Sequence, residues 1–213
     1  NSQEGYYLQA AVTDGVAGDP NDPLGTHILL SGEDGLFIGT EVGLKRGKEG
    51  SEESPGKYVL GVWSYTQTVD TILSAGSTAP ERAADYGAYI LAEQLVAPNF
   101  TVFARYGWAN PVVNQITSNL AFGAVWNNPT RAFDNDQFGM GWTTVWNSQQ
   151  YVDYQAGQGT TVGASESAFE LFYRFEPIGG LAIQPDFQYV LSPSMDPTLS
   201  NAANFFVRFD LSF

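Results

Sequence analysis

Charged and amide side chains recur at every second position near the carboxyl end of this chain. Glu170, Phe172 and Arg174 alternate with Phe169, Leu171, Tyr173 and Phe175, and Gln184, Asp186 and Gln188 alternate with Ile183, Pro185, Phe187 and Tyr189. Arg208 and Asp210 sit between Phe205, Val207, Phe209, Leu211 and Phe213. A period of two puts the two sets on opposite faces of a strand. Carboxylates accept hydrogen bonds, guanidinium groups donate them, and amides do both. A face of this kind exchanges hydrogen bonds with hydroxyl-rich solutes, and it carries no reactive centre. The chain has no Cys, which excludes disulfides and thiolate metal sites, and a single histidine, His27. Ser31 lies near it in sequence, but nothing fixes a nucleophile, a base and an orienting group together, so no enzyme activity is expected. The segment from Asp14-Gly15 to Asp19-Pro20-Asn21-Asp22 offers oxygen ligands of the kind calcium takes. It lacks EF-hand spacing and a closing bidentate Glu, and turn chemistry accounts for its composition equally well. Asp134-Asn135-Asp136 reads as a turn, and Lys45 to Lys57, with Glu49, Glu52 and Glu53, as a solvated connection. No metal and no cofactor is expected.

The polar residues need strands in a defined register. Pairing 167–176 with 181–190 must set inward against inward, so paired numbers sum to an even value. A sum of 358 places Arg174 opposite Gln184, Phe172 opposite Asp186 and Glu170 opposite Gln188. Arg208 and Asp210 then face inward on the last strand. By the same parity Glu93 and Arg105 become diagonal neighbours within reach of each other. With Glu41 on the noisier 35–44 segment, the predicted inner lining is Glu41, Glu93, Arg105, Glu170, Arg174, Asp186, Gln188, Arg208 and Asp210. As members of a wetted wall, these residues are expected to tolerate change, so that Arg208→Leu assembles nearly normally.

Ten alternating segments can be traced: roughly 5–12, 35–44, 56–66, 86–95, 102–108, 120–126, 138–146, 167–176, 181–190 and 204–213. The connections at 96–99 and 177–180 are tight, and those at 45–55 and 128–135 moderate. Long stretches at 13–34, 67–85 and 147–166 and medium ones at 109–117 and 191–203 fall between them. Every short connection lies on the same side as both chain ends, a parity that outer-membrane barrels obey and soluble sandwiches need not. Both ends are therefore expected on the periplasmic side. Trp108, Trp126 and Trp146 fall at strand ends, where a girdle meets the headgroups.

Composition agrees. Aromatic residues make up 14% of the 213 residues and glycine is frequent, as in a barrel wall. No apolar run is long enough for a transmembrane helix. Asn1 to Tyr6 shows no signal-peptide pattern, so any leader is expected to have been removed already. Nine basic against 23 acidic residues make nucleic acid a poor partner and favour cations near a pore mouth. The expectation is one domain over 1–213: an all-β, transmembrane antiparallel β-barrel wall facing outer-membrane lipid.

Several stretches carry a more specific likeness. These are Gly5-Tyr6-Tyr7-Leu8-Gln9-Ala10, Gly25-Thr26-His27-Ile28, and Gly56-Lys57-Tyr58 leading into Leu60-Gly61-Val62-Trp63. Leu91-Ala92-Glu93-Gln94, Val102-Phe103-Ala104-Arg105-Tyr106-Gly107 and Gln184-Pro185-Asp186-Phe187-Gln188-Tyr189 follow, and Val207-Arg208-Phe209-Asp210-Leu211-Ser212-Phe213 ends the series. In this order the chain resembles the carboxyl-terminal part of the carbohydrate-selective porins (OprB-like). The resemblance implies a sixteen-stranded outer-membrane channel for passive diffusion of small sugars, without cofactor or catalysis. The chain departs from the family in being much shorter and unusually acidic. Ten open strands leave two unpaired edges in lipid at several kcal/mol per exposed polar group, so missing amino-terminal strands are expected to complete the wall. A homo-oligomer is compatible with the pattern. The alternatives are a structural or adhesive barrel working through its external loops, and a soluble carbohydrate-binding β-domain.

Overall fold

The structure, a computed structural model, describes residues 4–15, 35–47, 54–130, 132–133 and 135–212. The expected calcium segment beyond Gly15, the His27 and Ser31 pair, Glu49, Glu52, Glu53, Asp134 and Phe213 lie outside the described residues.

Ten strands form one sheet in which each is hydrogen-bonded to its sequence neighbours. They are β1 (Gly5–Asp14), β2 (Leu36–Arg46), β3 (Gly56–Asp70), β4 (Arg82–Ala97), β5 (Phe100–Ala109), β6 (Ile116–Asn127), β7 (Gln137–Asn147), β8 (Ser165–Ile178), β9 (Leu181–Leu191) and β10 (Ala202–Leu211). All nine pairings are antiparallel. Among the described residues β1 and β10 are not paired with each other. The shortest strands have 10 residues, the length a tilted strand needs to cross a bilayer. An even number of antiparallel strands brings the start of β1 and the end of β10 to the same rim of the sheet.

Turn chemistry sets that rim. Pro98-Asn99 joins β4 to β5 with Asn99 at φ 62, because proline presets the first turn residue and asparagine tolerates the left-handed region. Gly179-Gly180 joins β8 to β9. Gly180 has φ 82, and a Cβ there would press on the carbonyl oxygen of Ser212, whose N–H donates to the Gly180 oxygen at 2.8 Å. The end of β10 is thereby pinned to the β8–β9 turn.

The opposite rim departs from expectation in two ways. β3 and β4 continue past the surrounding strands, so the connection expected at 67–85 shrinks to 71–81, with an Arg82–Asp70 ion pair of 3.7 Å at its base. The stretch 147–166 contains a helix, α1 (Gln149–Gly157), whose amino end is capped by the buried Ser148 hydroxyl accepting from the Tyr151 N–H at 3.1 Å. The connections on this rim are stitched to one another. The Ile72 N–H donates to Val112 O, Ser148 N–H to Gln115 O and Gly163 N–H to Met195 O. Asn147 donates to Gly163 O and accepts from the Gln115 amide, joining the same arc.

The sheet separates two chemistries. Leu8, Leu60, Ile90, Phe122, Met140, Phe205 and Phe209 share the outward parity and are all exposed. Only Val59, Ala121, Ala182 and Met195 form buried apolar positions among the described residues. A soluble two-layer domain needs a packed apolar core, whereas lipid covers the outward face of a barrel. Trp108, Trp126 and Trp146 lie one residue inside the ends of β5, β6 and β7 on that outward face, as expected of a girdle.

Candidate solute path along the inner wall

The inward face of β8, β9 and β10 carries the densest polar cluster. Glu170 pairs with Gln188 and Phe172 with Asp186, on the expected sum of 358. The register slips only between Phe175 and Ile178, beyond these pairs. On β10, Gln184 faces Arg208 and Ala182 faces Asp210. Gln188 Nε2 donates to Glu170 Oε2 at 2.5 Å, and Gln184 Nε2 to Asp186 Oδ1 at 3.1 Å. Arg208 lies 3.2 Å from Asp186 and 3.8 Å from Glu170, while Arg174 lies 3.2 Å from Glu176 and 3.9 Å from Asp210.

Asp186 is the anchor of this cluster. It is 1% exposed and flanked in register by Phe172 and Phe206, so its charge depends on Arg208 and Gln184 for compensation. This revises the expectation that Arg208 is freely replaceable. Arg208 is itself half-exposed, but removing it leaves the buried Asp186 carboxylate without its cation, which costs more than the loss of a pair exposed on both sides.

Glu41 lies on the inward face of β2, between Gln9 of β1 and Gly61 of β3. Tyr7 donates to its Oε1 at 2.7 Å and Tyr89 to its Oε2 at 2.6 Å. One carboxylate thus ties β1 to β4 across two intervening strands. Sequence periodicity assigned Glu41 to the lining but gave no sign of its two phenol partners, since that requires the register of three hairpins at once.

Glu93 and Arg105 are diagonal neighbours as expected, because Glu93 faces Phe103 and Leu91 faces Arg105. They form no ion pair among the described residues. Glu93 instead stands opposite Lys57, which faces Lys45, whose ammonium lies 5.5 Å from the Tyr7 ring centroid. Arg105 is exposed on the inner wall and has no hydrogen bond or ion pair among the described residues. The nine expected residues therefore all face inward, but they fall into separate groups: β8–β10, the Glu41 clamp, Glu93, and Arg105 alone.

A second inward feature was missed. Five glycines stand directly opposite an aromatic residue whose ring leans over them: Gly43 with Tyr7, Gly61 with Tyr89, Gly87 with Trp63, Gly123 with Phe103 and Gly139 with Phe172. At each of them a Cβ would collide with the ring of its partner. None of the five glycines has positive φ, so none is there to permit a strained conformation; at Gly43, Gly61 and Gly139 the ring is what a Cβ would meet first, whereas at Gly87 and Gly123 the carbonyl oxygens of Trp108 and Met140 crowd the position as well. Laying large rings flat on the wall keeps the inner space open while retaining an aromatic lining. The legible signal would have been the Gly–aromatic pairing itself, once strand register was assigned.

The chain as a whole is similar to known proteins. A family model described as the carbohydrate-selective porin, OprB family, matches residues 1–213. Among curated proteins nothing matches. Among solved structures, the high-pH structure of Pseudomonas putida OprB is similar to this chain with a TM-score of 0.83 at 20% identity. The match covers 100% of this chain and 57% of that one, so the chain spans little more than half the length of the structure it resembles. That likeness shows the shared β-barrel architecture. With the family model spanning every residue, the chain belongs to the OprB family of carbohydrate-selective porins.

Proposed function

We propose that this chain forms the larger part of the wall of an outer-membrane channel through which small sugars diffuse passively. The observation that carries the proposal is the division of the sheet: an exposed apolar outward face, and an inward face of carboxylates, guanidinium groups, amides and flat-lying rings. Sugar hydroxyls both donate and accept, so this mixture can exchange hydrogen bonds with them at every stage of transit. Because a channel must release what it binds, the contacts are expected to be numerous and individually weak.

The wall is completed by further strands that pair with β1 and β10, since open edges in hydrocarbon leave backbone groups unsatisfied at several kcal/mol each. A barrel of about sixteen strands leaves an aqueous channel, whereas about eight leave an interior filled by side chains. Both ends of the present chain face the periplasm, and the stitched rim of α1 and its neighbouring connections faces outward. The excess of 23 acidic over 9 basic residues favours cations in the same pore, an effect that weakens as salt screens the charges.

Planar-bilayer recording of the full-length barrel tests the reading. It predicts a cation-selective reversal potential that shrinks with rising salt, and shallow block of ion current by glucose at millimolar concentrations or above. Glucose-insensitive current through a pore that also excludes monosaccharides would overturn it.

A further inference from the structure

Two inward rings, one from β3 and one from β4, occupy neighbouring positions on the wall. Trp63 covers Gly87 and Tyr89 covers Gly61, and these are adjacent inward pairs of one register. Both rings are pressed on backbone, so one face of each is turned away from the wall. Tyr89 is further fixed by its 2.6 Å hydrogen bond to Glu41 Oε2. The Trp63 ring is steadied by Phe37, at 6.3 Å between centroids and 27° between planes. The platform is therefore preorganised and loses little freedom on meeting a ligand.

Free polar groups adjoin it. One hollow is lined on its inward side by Trp63, Tyr89, Leu91, Arg105, Gly107 and Asn119. Arg105 has no partner among the described residues, and neither has the Asn119 amide, whose oxygen lies over Gly107. Asn119 faces Gly107 in register, and Arg105 is the next inward residue of β5 toward the periplasmic rim. The charged groups of β8–β10, by contrast, are paired with one another.

From this we infer that Trp63, Tyr89, Arg105 and Asn119 form a subsite for a single pyranose ring, with Glu41 acting as the positioning residue for Tyr89. The axial C–H face of the sugar lies on the negative faces of the two rings. Its ring-edge hydroxyls accept from the Arg105 guanidinium and exchange hydrogen bonds with the Asn119 amide. Ligand class and geometry agree: a flat platform with planar polar groups at its edge suits a flat polyol, and no metal or reactive group is required.

This inference rests on the sugar-channel reading, and the test separates the two. Full-length barrels are recorded in planar bilayers with glucose as the probe, for the wild type and for Trp63→Leu, Arg105→Gln and Asn119→Ala. Ala168→Ser, on β8 away from the platform, serves as control. Loss of one ring face is expected to raise the half-blocking glucose concentration about three- to tenfold, and loss of the guanidinium donor about tenfold or more. Glucose block of the control should stay at the wild-type value. Wild-type block that all three variants retain unchanged overturns the subsite and leaves the channel reading standing. Absence of any glucose block or flux in the wild type overturns the channel reading itself. If Trp63→Leu assembles poorly, Trp63→Phe and Tyr89→Phe keep a ring over each glycine. Tyr89→Phe should then release the ring from Glu41 and weaken block less than Arg105→Gln, and equal block by Tyr89→Phe, Arg105→Gln and wild type again overturns the subsite.

Discussion

Gly61→Ala is the most informative single change in the wall. A methyl group at this position collides with the Tyr89 ring, and the ring is the movable partner because the colliding atoms lie at its far end. Swinging it away breaks the hydrogen bond to Glu41 and uncovers the backbone of β3. A hydrogen bond to a charged acceptor is worth about 1.5–3 kcal/mol and ring packing adds about 0.5–1.5. Tyr89 is 36% exposed, so water recovers part of the loss and the expected cost is about 1–3 kcal/mol. Gly61 has ordinary φ, so alanine is not penalised by the backbone. The assay is a double-mutant cycle on urea unfolding of the refolded full-length barrel in lipid vesicles, with Tyr89→Ala as the second change. Once the ring is gone, Gly61→Ala should cost close to nothing, giving a coupling of about 1–3 kcal/mol. An equal cost with and without the ring would show that the glycine is not there to admit it, and the same reasoning for Gly43 and Gly139 would fail with it.

Further expectations concern facing, the charge cluster, pH and topology. Phe122→Arg, in the middle of β6 on the outward face, should cost about 2–4 kcal/mol in vesicle unfolding, while Val125→Arg, facing inward, should fold in near wild-type yield; equal losses would contradict the assigned faces. Arg208→Leu should destabilise the barrel by about 1–3 kcal/mol, partly restored by Asp186→Asn, because the buried carboxylate loses its cation; an undiminished barrel would return Arg208 to the tolerant lining first expected of it. In the turn between β6 and β7, burial pushes the Asp136 carboxyl up, but hydrogen bonds from the Thr130 hydroxyl, the Tyr173 hydroxyl and the Thr130 N–H outweigh it and hold it below the usual carboxylate range. Its folded-state pKa is depressed, so the stabilisation is present above the unfolded value near about 4 and is lost as pH falls through the folded value. Hydrogen exchange at residues 128–136 should accelerate below about pH 4 in the wild type but not in Asp136→Asn. A cysteine at Gly157 in α1 should be labelled on intact cells and one at Gly179 should not; the reverse pattern would invert the topology.

The strands were legible because each must present one face to lipid and the other to water, so period-two alternation survives along almost every segment. Facing was clear where one side is charged, as in Glu170 and Arg174, and obscure in β4. There Tyr89 and Leu91 point inward while Ile90 points outward, and hydrophobicity alone cannot separate them. Strand ends were underestimated at β3 and β4, since residues beyond the membrane need not alternate in polarity. α1 was not foreseen because Gln149–Gly157 has little amphipathic pattern, though Ser148 at its start is an ordinary capping signal. The lining was found as a set of residues but not as groups. Pair partners such as Tyr7 and Tyr89 on Glu41 depend on register accumulated over several hairpins, which loop lengths alone do not fix.

Liposome swelling with the full-length barrel tests the central claim most directly, because it measures passage of an uncharged solute and not the mere presence of a pore. Swelling in glucose and other monosaccharides should be rapid, should slow steeply for larger oligosaccharides, and should need no energy source. Vesicles that leak salt but do not swell in monosaccharides would contradict the account, leaving a β-barrel wall whose polar lining serves something other than sugar.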